Sequence, residues 1–197
     1  MSTPLDHWNQ VYAAPDHRGS WFRTSLQESI EAIRLVAPHA PCDVLDVGAG
    51  RQHLRLSEVF GDVGNATAYA LDMSLEILGP PDPEIHYIAG DVLAVPLPMV
   101  DVWHDRAVVH FFTDEADRAR YRERAAAAVR PGGGIVVACF DLDGPERCSG
   151  LVVARRSPEQ LAEEFADNFA VLERRQSVHV TPSGAEQRFA WFLGRRL

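Results

Sequence analysis

The sequence predicts a single α/β domain built on an open, mostly parallel sheet, and three observations carry that reading. Short apolar runs of strand length alternate with amphipathic helical patterns through the first two-thirds of the chain. Strands separated by helices in this way join through right-handed parallel crossovers. The last third instead carries two strand-length runs, 171–180 and 188–195, separated only by TPSGAEQ, so the sheet should close with a hairpin. The 197 residues fit one core, so the whole of 1–197 is read as one domain. Hydrophobic residues make up 46% and charged ones 24%, the proportions of a folded domain that needs neither disulfides nor a structural metal.

Each element has its own signal. Ser25 with Glu28 reads as a capping box, and Leu26, Ile30, Ile33 and Ala37 recur at helical spacing until Pro38 stops the run. Pro41 and Cys42 lead into DVLDVGAG (43–50), where Val44, Leu45 and Val47 make a short buried strand ending near Val47 in a tight turn. A helix is expected over 54–60, a second strand over 67–71, and a third over 85–88, with GPPDP (79–83) as a loop. A fourth strand spans 100–104. Thr113 then caps a helix with Asp114 and Glu115 in its first turn and Arg130 near its end, charges that suit the helix dipole. Pro131 and glycines 132–134 stop it, and the wholly apolar run 135–140 is an interior fifth strand. Ser157, Pro158 and Gln160 supply a cap, a first-turn proline and a capping-box partner for a helix reaching about Phe169. The two hairpin strands follow, with Pro182 and Gly184 favouring the turn between them.

Charge and cysteine usage exclude several classes of function. Acidic residues outnumber basic ones 28 to 19, for a net charge of −9, which argues against nucleic acid as a partner. The arginine pairs 155–156, 174–175 and 195–196 are read as solvated element ends. Cys42, Cys139 and Cys148 are odd in number and lack metal-ligand spacing, so neither a disulfide framework nor a metal site is expected. MSTPLDHWNQ has no signal-peptide pattern and no run of about eighteen apolar residues occurs, so the expected location is cytoplasmic, with no membrane contact. A monomer or homodimer is expected.

An open sheet of this kind binds its ligand beyond the carboxyl ends of its strands. Gly48, Gly50, Asp72, Asp91 and the segment from His104 to His110 all follow successive strand ends. Gly48 and Gly50 let the backbone approach a ligand closely, though they also simply permit a strand-to-helix turn. Asp72 lies about twenty residues on, where a carboxylate can accept both ribose hydroxyls. A nicotinamide dinucleotide calls for a third glycine where His53 stands and no carboxylate beside its pyrophosphate, whereas Asp46 precedes the turn. S-adenosylmethionine carries a sulfonium, an ammonium and no phosphate, so Asp46 attracts it. Asp91 is placed to accept from an adenine amino group while the Val92 amide donates to the ring. Turn or cap hydrogen bonds remain open to Asp46, Asp72 and Asp91.

At these residues the chain resembles the class I S-adenosylmethionine-dependent methyltransferases. The likeness runs over about residues 5–195, through VLDVGAG (44–50), ALDMS (70–74), GDV (90–92), DVWHDRAVVHFF (101–112) and VRPGGG (129–134). It implies a Rossmann-like three-layer sandwich with a seven-stranded, mostly parallel sheet ending in an antiparallel hairpin. It also implies S-adenosylmethionine as cofactor, with contacts at Asp46, Gly48, Gly50, Asp72, Met73, Asp91 and Val92. Gln52 stands where the family often has a third glycine. WHDRA (103–107) and DLDGPERCSG (141–150) resemble the thiopurine and related thiol or tellurite methyltransferases, whose opening Trp and Tyr motif Trp8, Tyr12, Trp21 and Phe22 match loosely. That likeness implies that residues 1–24 fold over the cofactor as a lid, with Tyr12 and Trp21 against it. Aromatic side chains there exclude water and can hold a sulfonium over a ring face, and core packing is equally open to them.

Methyl transfer needs the acceptor lone pair in line with the carbon–sulfur bond, so positioning and desolvation supply much of the acceleration. His104, Asp105 and His110 stand where a base is needed if the acceptor carries a proton. Strand alternation puts His104 and Arg106 on one face and Asp105 on the other. The catalytic set is read as Asp105, Arg106 and His104, with Arg106 stabilising an acceptor anion and with Asp105 and Arg106 alternatively fixing the loop. His110 is read as packed within a helix. Cys148 is read as an unreactive apolar filler that lines the acceptor pocket. The predicted activity is transfer of a methyl group to a small-molecule heteroatom, S, O, N or a metalloid. The alternatives are a protein-lysine methyltransferase, for which an acidic groove would suit a basic peptide, and a cofactor-binding protein without catalysis.

Overall fold

A computed structural model describes residues 3–13, 25–73, 75–181 and 183–197. The expected lid residues Trp21 and Phe22, and the turn residue Pro182, lie outside the described residues. The helices are α1 (Pro4–Ala13), α2 (Gln27–Val36), α3 (Leu56–Phe60), α4 (Leu75–Leu78), α5 (Glu115–Ala128) and α6 (Pro158–Phe165). The strands are β1 (Val44–Val47), β2 (Ala68–Asp72), β3 (Ile85–Ala89), β4 (Val100–Arg106), β5 (Val129–Phe140), β6 (Arg147–Cys148), β7 (Leu151–Val152), β8 (Phe169–Val180) and β9 (Glu186–Arg196). A 3-10 turn, Val109–Phe111, follows β4.

Seven strands form one sheet in the order β3-β2-β1-β4-β5-β9-β8, and only β9 runs against the others. β6 and β7 pair separately as a hairpin. The sheet buries both faces, so β1 is apolar at three of four positions and buried at all four. On one face Val44, Ala70, Val102, Val136 and Trp191 pack under α2 and α3. On the other, Leu45, Leu71, Trp103, Ile135 and Phe192 pack under α5 and α6. The strand order reverses between β1 and β4, which opens a crevice at their carboxyl ends.

Several boundaries depart from the sequence reading for identifiable reasons. The Ser25–Glu28 box does not form, because Leu26 takes the cap position and Ser25 Oγ accepts instead from Gln27 N at 3.2 Å. Asp114, not Thr113, caps α5 and accepts from Ala116 N at 2.8 Å. α5 stops at Ala128 and the segment from Val129 through the three glycines enters β5. A Cβ on Gly134 would fall 2.5 Å from the Val36 carbonyl, so the glycine lets α2 lie against the strand. Arg130 consequently faces the amino ends of the strands, 3.1 Å from Asp43 and 3.0 Å from Asp101. α6 ends at Phe165, leaving Phe169 to begin β8. The capping box at Ser157 and Gln160 forms as expected.

Candidate active site

Two adjoining cavities lie along the carboxyl ends of β1, β2 and β4. The larger, about 340 Å³, is mainly apolar, with walls including Leu71, Val92, Leu93, Phe111 and Phe112, and its carboxylates are Asp72, Asp91 and Asp117. The smaller, about 270 Å³, is bounded by Asp46, the 48–52 turn, His104 and Arg106. Tyr12, Val47, Gly48 and Arg106 border both.

The turn after β1 is built for close approach. Gly48 has φ +68°, and a Cβ there would lie 2.1 Å from Val108 Cγ2, so glycine is needed for conformation and for space. The turn is fastened to β2, since Gly48 N and Ala49 N both donate to the Leu71 carbonyl, at 2.8 and 3.0 Å. Asp72 Oδ2 accepts from Gly50 N at 2.9 Å and Oδ1 from Met73 N at 2.7 Å. Each carboxylate oxygen keeps a further lone pair for a ligand hydroxyl. Burial pushes the Asp72 carboxyl up to about 6, against those two amides and with help from the Asp46 charge.

The loop after β3 carries Asp91, whose Oδ1 accepts from Leu93 N at 2.9 Å, so this exposed residue shapes its own turn beside the cavity. Val92 is buried and forms cavity wall, and its carbonyl accepts from Arg124 of α5 at 2.9 Å. α1 contributes Pro4, Trp8 and Tyr12 to the larger cavity. Trp8 meets Phe111 edge to face at 5.0 Å, and the Arg51 guanidinium lies 5.6 Å from the Tyr12 ring centre. The opening segment thus includes a helix that the sequence reading left as an undivided lid.

Alternation along β4 sorts its last residues by role. His104 and Arg106 border the smaller cavity, and His104 Nδ1 lies 2.7 Å from Asp46 Oδ1. Arg106 reaches both cavities with its guanidinium 5.7 Å from the Phe189 ring centre. Asp105 does not join them. It is inaccessible on the α5 side, where Oδ1 accepts from Val108 N at 2.8 Å, and Oδ2 accepts from Val109 N at 2.9 Å and from the Tyr121 hydroxyl. Burial pushes its carboxyl up to about 6 despite these donors, and the Tyr121 hydroxyl is pushed well above its ordinary value by the same burial and the adjacent charge. Trp103 Nε1 donates to the Tyr121 oxygen at 2.9 Å, extending the buried chain.

Sequence reasoning also missed Ala107. Its φ of +78° is unusual for an alanine and costs on the order of 1 kcal/mol. Its N–H donates to the Ala138 carbonyl at 2.8 Å, so the chain turns directly after Arg106 while still tied to β5. Cys148 lines the larger cavity from the β6–β7 hairpin, whose Ser149 and Gly150 both have positive φ, the geometry of a two-residue turn. Burial pushes its thiol up to about 11 although Arg106 pulls the other way. His110 is buried against Phe111 and Phe140, with ring centres 4.5 and 4.8 Å away, in the 3-10 turn rather than a longer helix.

No protein-family model and no curated sequence matches the chain. Solved structures do match. An S-adenosylmethionine-dependent methyltransferase from Methanosarcina mazei superposes with a TM-score of 0.64 at 11% identity, over 81% of this chain and 94% of that one. The Burkholderia thailandensis 1,6-didemethyltoxoflavin-N1-methyltransferase, solved with 1,6-didemethyltoxoflavin and S-adenosylhomocysteine, gives 0.69 at 20% identity over 100% and 91%. Human N-acetylserotonin methyltransferase, solved with S-adenosylmethionine, gives 0.62 at 18% identity over 99% and 60%. The chain has the Rossmann-like methyltransferase fold. The seven-stranded sheet with its terminal antiparallel hairpin is the architecture the sequence predicted. Among the described residues, no helix is long and apolar enough to cross a membrane.

Proposed function

We propose that this protein binds S-adenosylmethionine and transfers its methyl group to a heteroatom of a small-molecule acceptor. The observation that carries this reading is the pair of adjoining cavities, one mainly apolar with an Asp72 carboxylate already braced by two amides, the other beside the glycine turn and bordered by Asp46, Arg51, His104 and Arg106. A nucleoside fits the first and a charged amino-acid end the second. The bordering carboxylates Asp46, Asp72 and Asp91 also suit a cationic cofactor and would repel a pyrophosphate. Solved proteins of this fold hold S-adenosylmethionine or its product, which supports the same choice.

When bound, the cofactor supplies an electrophilic methyl carbon, and the protein's task is to place and desolvate the acceptor. Arg106, bordering both cavities, is positioned to hold an acceptor as its anion and so lower the pKa of a thiol or hydroxyl. Cys148 and Leu151 offer an apolar wall beside it. This combination of a guanidinium and an apolar hairpin supports an acceptor of the kind used by thiopurine and thiol methyltransferases. Acceptor profiling with methyl-labelled cofactor tests the proposal. Transfer to thiols or phenols is expected, with Arg106→Ala lowering turnover more than cofactor affinity. Transfer only to a polypeptide, or cofactor binding without transfer to any acceptor, would overturn it.

A further inference from the structure

His53 stands where a dinucleotide-binding turn would carry a third glycine, and both of its ring nitrogens have partners. Nε2 lies 3.1 Å from the Gly50 carbonyl and Nδ1 lies 3.2 Å from the Tyr87 hydroxyl. A carbonyl only accepts, so Nε2 carries the proton and, in the neutral ring, Nδ1 accepts from Tyr87. The Tyr87 oxygen in turn accepts from Asp82 N at 3.0 Å, and the two rings meet edge to face at 5.0 Å. The Pro80 carbonyl, at 3.5 Å, is the hydroxyl's more distant acceptor. The bonds therefore run in one direction, from the loop between α4 and β3 through two rings to the turn after β1.

Gly50 is the residue that this chain of bonds grips. Its N–H donates to Asp72 Oδ2 at 2.9 Å, its carbonyl accepts from His53, and a Cβ on it would fall 2.6 Å from the Tyr12 hydroxyl. With φ +58° and no side chain, Gly50 has little conformational preference of its own, so outside contacts set its peptide planes. The far end is anchored too, since Asp82 pairs with Arg55 at 2.8 Å, just before α3, and its Oδ1 accepts from Glu84 N at 3.0 Å. His53 and Tyr87 border neither cavity. We propose that His53, oriented by Tyr87, is a positioning residue that fixes the Gly50 peptide and, through it, the Asp72 carboxylate that receives the cofactor's ribose. This rests on the methyltransferase reading, and it gives the imidazole a part in cofactor affinity without any contact to the ligand.

Calorimetric titration with 5′-methylthioadenosine, which has the ribose and lacks the amino-acid end, tests this. His53→Leu should weaken binding about fivefold, the worth of one neutral hydrogen bond. His53→Gln, whose amide NH2 can donate to the Gly50 carbonyl in place of Nε2, should recover most of the loss. Tyr87→Phe keeps the ring contact, removes only the hydroxyl and should weaken binding about threefold. In the His53→Leu background the same change should do nothing, because the bond it removes is already gone. A Tyr87→Phe effect equal in both backgrounds, or a His53→Gln variant as weak as His53→Leu, would overturn the assignment. Tyr87→Phe binding like the unaltered protein would overturn it alone, whatever the stability of His53→Leu. Failure of the unaltered protein to bind both methylthioadenosine and S-adenosylhomocysteine would instead overturn the cofactor reading, and this assignment with it.

Discussion

With Asp72 on the ribose, as proposed, cofactor affinity should fall as the pH drops. Its carboxyl is held at about 6, mainly by burial, and the ionised form is the better acceptor for two ligand hydroxyls. At pH 7 about nine-tenths of the group is ionised, and at pH 5 about one-tenth. Binding that requires the ionised form should therefore weaken about tenfold from pH 7 to pH 5, or about 1.4 kcal/mol, and stay flat from pH 7 to 8. Methylthioadenosine is the ligand of choice, because it lacks the titratable amino-acid end and isolates the ribose contact. Asp72→Asn should bind about 1–3 kcal/mol more weakly at pH 8 and lose the acid dependence, since its amide does not titrate. A wild-type affinity constant between pH 5 and 8, or an Asn variant that keeps the wild-type pH profile, would refute the assignment of Asp72 to the ribose.

Asp105→Ala leaves two backbone N–H groups and the Tyr121 hydroxyl without their acceptor and should lower stability to urea by about 3–5 kcal/mol. Unchanged stability with lost turnover would restore Asp105 to the chemistry. His110 is held neutral by burial, its imidazole pushed down to about 3. The unfolded chain takes up that proton below about pH 6.5 and the folded one does not, so stability falls as pH drops through that window, by about 2 kcal/mol at pH 5. His110→Asn should therefore narrow the gap in unfolding free energy between pH 8 and pH 5 by that amount, and an unchanged gap would contradict the neutral buried ring. Cys148, with its thiol raised to about 11, should react with iodoacetamide at pH 8 about a hundredfold more slowly in the native protein than after unfolding, measured by mass spectrometry.

The sheet was legible because its strands are short, apolar and separated by helix signals, a pattern that survives whatever surrounds it. Asp72 and Gly48 were legible for a similar reason, since a strand end followed by glycine or aspartate has few placements in an open sheet. The helix starts were less so. Ser25 and Thr113 read as caps, and only the backbone at Leu26 and Asp114 decides which position the helix uses. VRPGGG reads as a breaker, yet its last glycine, Gly134, serves the close approach of α2 to β5, a tertiary demand invisible in a local window. The short β6–β7 hairpin gave no periodic signal at all. Its Ser149-Gly150 turn was the one available hint. Tyr121 is the lone aromatic in the polar run DRARYRERAAAA, and that contrast was the sign that it faced inward.

Asp105 and Arg106 differ in fate because of one step along β4, and the bulky residues on the α5 side decide which way the step falls. Trp103 is inaccessible and locked edge to face with Tyr121 at 5.5 Å, while its indole and the Asp105 carboxylate share the Tyr121 hydroxyl. A shift of one residue would drive Trp103 under α2, where Val102 sits, and bring Asp105 to the cavities. Displacing an indole, a phenol and two capped backbone N–H groups is far costlier than any gain from a second carboxylate at the cavity mouth. The residues on the α5 side therefore hold the others in place. Arg106 and His104 meet the cavities because Trp103, Tyr121 and Asp105 have no alternative, so with Arg106 acting as proposed Trp103→Ala should lower turnover although the indole lies on the far face of the sheet.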